Sequence, residues 1–333
     1  MFIVSSYFQA IFFCIVTMLC WGSWANTQKL AGQHWRYELF YWDYVLGVLL
    51  LSLVSAFTLG SFGEAGRSFL EDLGQTTSGN LFSAFIGGVV FNAANILLSA
   101  AIAIAGMAVA FPIGIGLALI VGVFINYLAS AKGDPLFLFA GVLLITVAIV
   151  INAIAYSKSM RVKNKISSKG ILLSLMAGVL MSLFYRFIAA SMDLDNFENP
   201  AVGKMTPYTA FFVFAIGIFV SNLLFNTLLM KKPLEGSPVS YRSYFSGKLS
   251  LHLVGILGGI IWGLGNALNL IAAGKAGAAI SYGLGQGATL VAAFWGVFIW
   301  KEFRNAPRGT GNLLLLMFLL FIIGLGLIIY AGV

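Results

Sequence analysis

Four asparagines stand where an apolar sequence has little use for them. Asn92 and Asn95 lie in one long apolar run, Asn266 and Asn269 in another. Each pair has i, i+3 spacing, so on a helix each pair shares a face. An Asn amide is both donor and acceptor, so the four could read a neutral solute with donors and acceptors of its own. They could equally bond helix to helix within a bundle. Trp21 and Trp24, in a run with Asn26 and Gln28, and Tyr282 with Gln286, offer flat faces for stacking and polar tips. Trp35, Tyr37, Tyr41 and Trp42 read as an interfacial belt; Trp21 and Trp24 sit deeper and read as pocket lining. Asp43 is the only acidic residue expected within an apolar span. It could carry a coupling proton, or be an interfacial acid paired with Lys29 or Arg36. Arg186, in a later span, could bind substrate or act as a gate; it could also snorkel outward or pair with Asp193. His252 reads as interfacial.

Enzyme chemistry has no comparable footing. There is no G-x-x-x-x-G-K-[ST] and no H-E-x-x-H or paired-cysteine zinc pattern, and the two histidines are far apart. The G-x-G-x-G at Gly283, Gly285 and Gly287 lies inside an apolar run, where small residues permit close helix contact. Cys14 and Cys20 would stand about 9 Å apart along one helix, too far for a disulfide. No cofactor or metal is expected, and the chain reads as no enzyme.

The elements that must hold these residues are membrane helices. Of 333 residues, 60% are hydrophobic and 9% charged, against roughly a quarter charged in a soluble domain. No Asp, Glu, Lys, Arg or His occurs between Asn80 and Ala131, a length that could cross a bilayer twice at about 20 residues per crossing. Ten apolar segments run roughly 7–30, 38–60, 80–105, 107–130, 135–157, 169–191, 207–230, 249–273, 277–300 and 311–332. No Lys or Arg precedes Lys29, so the basic region of a signal peptide is missing and the first segment reads as a membrane helix.

Basic residues set the expected orientation. The connections 1–2, 3–4, 5–6, 7–8 and 9–10 hold fourteen: Lys29, Arg36, Lys158, Arg161, Lys163, Lys165, Lys169, Lys231, Lys232, Arg242, Lys248, Lys301, Arg304 and Arg308. The other side holds four: Arg67, Lys132, Lys204 and Lys275. The first set is then cytoplasmic, and ten spans put both termini outside the cytoplasm, in the cell (inner) membrane. The net charge of +8 is a topology signal spread over loops, not a nucleic-acid surface.

A repeat is visible at an offset of 171. Residues 87–125 align with 258–296 without a gap, eleven of 39 positions identical. Gly87-Gly88 falls on Gly258-Gly259, Asn95 on Asn266, Gly106 on Gly277, and Gly114 and Gly116 on Gly285 and Gly287. Each half then has five spans, an odd number, so the second enters the membrane from the opposite side. The expected fold is an all-α membrane protein with ten transmembrane helices as two inverted five-helix repeats, residues 1–157 and 169–333, joined by a cytoplasmic linker at 158–168. That is an architecture of alternating-access transporters, with the site near the midplane between repeats.

Four stretches carry a family resemblance: Trp21-Gly22-Ser23-Trp24; Asp43-Tyr44 followed by Ala56-Phe57-Thr58-Leu59-Gly60; Gly87-Gly88 through Asn95; and Lys301-Glu302-Phe303-Arg304-Asn305-Ala306-Pro307. With the ten helices they resemble the drug/metabolite transporter superfamily, and within it the ureide permease and glucose/rhamnose uptake group. The resemblance implies import of neutral hydrogen-bonding solutes, by proton symport in many members, with both termini outside in the rhamnose type. Plant ureide permeases have a long loop between helices 5 and 6 with a phosphate-loop-like motif; here that loop is about twelve residues and lacks it.

The expected function is secondary transport of a small neutral polar solute, ureide, nucleobase or sugar, coupled to an ion, a proton before sodium. The alternative is a drug or metabolite exporter of the same fold. The expected partners are the solute, the ion and the lipid bilayer, the protein being a monomer or homodimer.

Overall fold

The computed structural model describes residues 1–32, 35–63, 65–160 and 167–333. Among them, ten helices are long and apolar enough to cross a membrane: α1 Tyr7–Ala31, α2 Tyr37–Phe57, α3 Ser78–Ala105, α4 Met107–Ala129, α5 Pro135–Met160, α6 Ser168–Ser191, α7 Pro207–Lys231, α8 Leu249–Ala276, α9 Ala278–Ile299 and α10 Thr310–Tyr330. Short helices Phe69–Gln75 and Tyr241–Phe245 lie in two of the connections. Among the described residues there is no β-strand, only an isolated bridge between Met192 and Met205. The protein is a multi-pass membrane protein. Most of the 158–168 linker, residues 161–166 with Arg161, Lys163 and Lys165, lies outside the described residues.

Helices pack where backbones can approach. Glycines at the contacts let carbonyls of one helix touch the Cα of another, which in lipid replaces the hydrophobic drive that water would supply. A Cβ on Gly259 would collide with the Tyr44 carbonyl and crowd Gly47, welding α8 to α2; a Cβ on Gly88 would collide with the Phe214 carbonyl beside Gly217, welding α3 to α7. These two contacts are the same contact 171 residues apart on one side and 170 on the other. The helices themselves repeat: shifting Ser78–Ala105 by 171 gives Leu249–Ala276, and the glycines that end them have φ/ψ of 82°/155° at Gly106 and 83°/156° at Gly277. Both need the positive φ that only glycine adopts freely, because one helix must hand over to the next without a spacer.

The contacts between helices have the same symmetry. α3 packs on α6 and α7, as α8 packs on α1 and α2; α4 packs on α6, as α9 packs on α1; α5 packs on α10, α2 on α7 and α4 on α9. Each of these pairings maps onto another, or onto itself, five helices on. Two groups result, α1, α8 and α9 facing α3, α4 and α6.

Two spans are broken. At Trp24 in α1 the next helical stretch starts afresh, with Thr27 N–H bonding only three residues back to the Trp24 carbonyl. At Gly287 in α9 the bond also runs three residues back, to Leu284, and the span ends in a π-helical turn over Trp295–Ile299. Irregular backbone at membrane depth is tolerated where it is covered by protein or lines a cavity.

Candidate functional site

Both breaks border a small central pocket between the two helix groups. It is lined by Trp21, Trp24, Trp262, Gln286 and Ala288 from α1, α8 and α9, and by Phe91, Asn95, Leu98, Phe111, Ile115, Met181 and Phe184 from α3, α4 and α6. Trp262 is its hub. Its ring stacks on Trp21 with centroids 5.9 Å apart and an interplanar angle of 5°, and meets Phe91 at 4.2 Å. Phe91 and Trp262 are equivalent under the 171 offset, so the two repeats touch here through matching aromatics. The pocket's volume is about 20 Å³, room for about one water.

Polar groups in it are few, and two of them are unpaired. Asn95 is buried, and its amide nitrogen has no hydrogen-bond partner. The Tyr41 and Tyr44 hydroxyls lie near this amide, and neither completes a bond. The Trp21 indole N–H is likewise without a partner. A buried unpaired donor costs roughly 1–3 kcal/mol, so each of these groups would gain from a hydrogen-bonding partner in the pocket.

The other asparagines are placed differently. Asn92 donates to Ser221 Oγ at 2.9 Å and Asn269 donates to the Ser281 carbonyl at 2.8 Å, bonds between helices. Asn266 does not line the pocket, and both polar atoms of its amide are buried without a partner. The Tyr282 hydroxyl donates to the Met181 carbonyl at 2.9 Å and lies 3.3 Å from that of Ala118, bolting α9 to α6 and α4. Arg186 is exposed on α6 and makes no hydrogen bond or ion pair among the described residues; Asp193 instead accepts from the Ala201 N–H.

One helical turn beyond the pocket, toward one face, lies a wide vestibule. A cavity of about 990 Å³ is lined by Gln28, Lys29 and Gly32 at the end of α1, by Trp35 and Arg36, by the end of α3 and start of α4, and by Tyr156, Glu235 and Glu302. Lys29 pairs with Glu302 at 2.8 Å and lies 4.2 Å over the Trp300 ring, and Tyr156 donates to the same carboxylate at 2.6 Å. The opposite face has a smaller cavity, of about 170 Å³. Phe197 packs its ring against Gly274, and Arg67, paired with Asp72 at 2.9 Å, donates to the Pro200 and Lys204 carbonyls.

Asp43 departs from the interfacial reading. Lys29 and Arg36 pair elsewhere, Arg36 with Glu38 at 2.6 Å. Asp43 is buried and accepts from the Tyr244 hydroxyl at 2.6 Å and the Trp35 indole at 3.0 Å, and it pairs with His252 Nδ1 at 2.8 Å. His252 is therefore packed against this carboxylate, not free at an interface. Asp43 is also not alone, since Glu38 in the first turn of α2 is fully buried. Trp35, Tyr37, Tyr41 and Trp42 are all buried against the bundle, which corrects the belt. Burial, together with the Asp43 carboxylate beside it, pushes the Tyr244 phenol's pKa well above its ordinary value.

Sequence reasoning passed over Trp262, Phe91, Phe111 and Phe184. One signal was available: Phe91 and Trp262 align as an aromatic pair inside the repeat.

Comparisons with known proteins agree over the whole length. A family model described as ureide permease matches residues 40–169 and 154–331. The chain is 24% identical to Ureide permease 1 of Arabidopsis thaliana, covering 98% of each chain. It is 25% identical to Ureide permease 5 of the same plant, covering 98% of this chain and 95% of the relative. It is 24% identical to Probable ureide permease A3 of Vigna unguiculata, covering 92% and 97%. A solved crystal structure superposes with a TM-score of 0.60 at 14% identity, over 97% of this chain and 96% of its own, a likeness of fold alone. With matches running from α2 through α10, and relatives aligned end to end, the chain belongs to the ureide permease family.

Proposed function

We propose that this protein is a secondary transporter that imports a ureide by alternating access, in the drug/metabolite transporter manner, through two inverted five-helix repeats. The observation that carries this reading is the central pocket, formed where α1 and α9 break and lined by stacked tryptophans beside unpaired amide and indole donors. A ureide is flat and carries N–H donors next to carbonyl acceptors. Trp21, Trp24 and Trp262 supply faces for the plane; Asn95 and Gln286 supply amides for the edge. A sugar would use the same groups less fully, since it lacks the planar edge.

The vestibule is lined by Lys29 and Arg36, members of the larger basic set, which supports a state open toward the cytoplasm with both termini outside it, in the cell (inner) membrane. A pocket of about 20 Å³ is too small for the solute, so the two helix groups must part for loading, and part on the other side for the alternate state. Asp43 with His252 is the coupling pair. A carboxylate shared by a histidine, a phenol and an indole can take up a proton and reorganise four side chains from α2, α8 and the segments between.

The test is uptake of labelled allantoin, uracil, hypoxanthine, glucose and rhamnose into cells expressing the protein, with and without acidification of the outer medium. Allantoin should accumulate, faster at acid pH, and Asp43→Asn should remove the acid stimulation while leaving exchange between two pools. Uptake of a sugar without allantoin, or an outward flux of the panel, would displace this reading in favour of sugar import or export.

A further inference from the structure

Between the pocket and the vestibule lies a clasp of two polar side chains. The Gln28 Nε2 donates to the Ser99 carbonyl at 3.0 Å, and Ser99 Oγ donates back to Gln28 Oε1 at 2.9 Å. Both side chains are buried. The orientation of the Gln amide is fixed, because a carbonyl can only accept. Each residue stands one helical turn from a pocket residue, Gln28 from Trp24 and Ser99 from Asn95, and Gln28 itself lines the vestibule with Ala103, one turn beyond Ser99. Around them the walls are apolar: Leu98, Ile102, Met107 and Phe111. The clasp also crosses the cleft, because α1 packs with α8 and α9 while α3 packs with α6 and α7.

We infer that Gln28 and Ser99 form the gate between the central pocket and the vestibule, and that the solute opens it by taking Ser99's place on the Gln28 amide. Resting on the ureide reading, the chemistry matches atom for atom. Ser99 presents one O–H donor and one carbonyl acceptor to the two ends of the amide. An N–H beside a C=O in a ureide presents the same pair, so Gln28 exchanges two hydrogen bonds for two and neither end of its amide is left unpaired, while the released Ser99 hydroxyl turns back to a carbonyl one turn earlier in α3. A solute without a neighbouring donor and acceptor cannot make this exchange without stranding one end of the amide. The gate is therefore a specificity determinant as well as a barrier. Its opening also releases α1 from α3, which frees the two helix groups to part on the vestibule side.

The experiment reads gate opening directly. In a Cys14→Ser, Cys20→Ser background, a cysteine replaces Leu98, which lines the pocket, and the purified protein in nanodiscs is treated with a water-soluble maleimide. Gln28→Ala removes both bonds and should raise the labelling rate roughly fivefold to a hundredfold without solute; Ser99→Ala removes only the hydroxyl bond and should raise it roughly twofold to tenfold. Allantoin should accelerate labelling of the Gln28 form and leave the Gln28→Ala form unchanged, while tetramethylurea, which has the carbonyl acceptor and no donor, accelerates neither. Wild-type labelling rates in both variants would overturn the gate, and Ser99→Ala alone still decides it should Gln28→Ala fold poorly. Fast labelling in Gln28→Ala with no allantoin effect on the parent would overturn the solute-keyed opening. The uptake panel tests the ureide reading separately: if allantoin is not carried, that reading fails, while the solute-free labelling still decides the gate.

Discussion

Asn95 and Asn266 share a repeat position and differ in surroundings. Asn95 lines the central pocket with a free amide nitrogen; Asn266, off the pocket, has neither polar atom paired. On the proposed inverted-repeat mechanism the two would exchange roles between the inner and outer states, which a pseudo-two-fold would relate. Each amide would then serve the solute from its own side. Losing one hydrogen-bonding group costs about 0.5–1.5 kcal/mol, more where a partner is stranded. Asn95→Ala and Asn266→Ala should each weaken solute affinity roughly threefold to a hundredfold with membrane abundance intact, and Leu in either place should be worse because it also fills the cavity. Measuring affinity and abundance together decides this; normal affinity in both alanine variants removes the pair from the site.

Among elements, the glycine welds carry the largest local consequence. At Gly259 and Gly88 an added methyl meets backbone carbonyl, not a side chain that could swing away. Overpacking of this sort costs typically about 1–3 kcal/mol. Gly259→Ala and Gly88→Ala should lower the thermal midpoint in detergent and reduce folded yield. Gly326→Ala, on α10 with open space around it, should be neutral or slightly stabilising, as glycine within a helix costs up to about 1 kcal/mol relative to Ala. An equal loss in all three variants would sink the claim that close backbone contact at Gly259 and Gly88 sets the packing.

For the whole molecule, orientation decides which face the vestibule serves. On the proposed orientation, which follows the 14-to-4 distribution of basic residues, the vestibule faces the cytoplasm. A reporter active only in the cytoplasm should be silent when fused after Val333 and active when placed in the 158–169 connection. The reverse pattern would turn the present state into an outward-open one and exchange inner and outer throughout.

Hydropathy and spacing alone determined the ten spans and the 171 offset that coincides with the bounds of α3 and α8. These are properties of solvation and of chain periodicity, and both are written residue by residue. The sequence also singled out Asn95, Trp21, Trp24 and Gln286, because polar and aromatic groups are conspicuous in apolar runs. Which way each helix faces was left to the tertiary structure. A membrane helix is apolar on every side, so depth along the span set Trp24 apart from Trp42 but did not show that Trp42 is also buried, or that Trp262 is the hub of the pocket. Pairings between distant segments were equally hidden: Asp43 meets His252 and Tyr244 some 200 residues away, and Gln28 meets Ser99 across 71. Such contacts depend on how helices close against one another, which is fixed by glycine welds between α2 and α8 and between α3 and α7 and by no feature of the chain near the residues themselves.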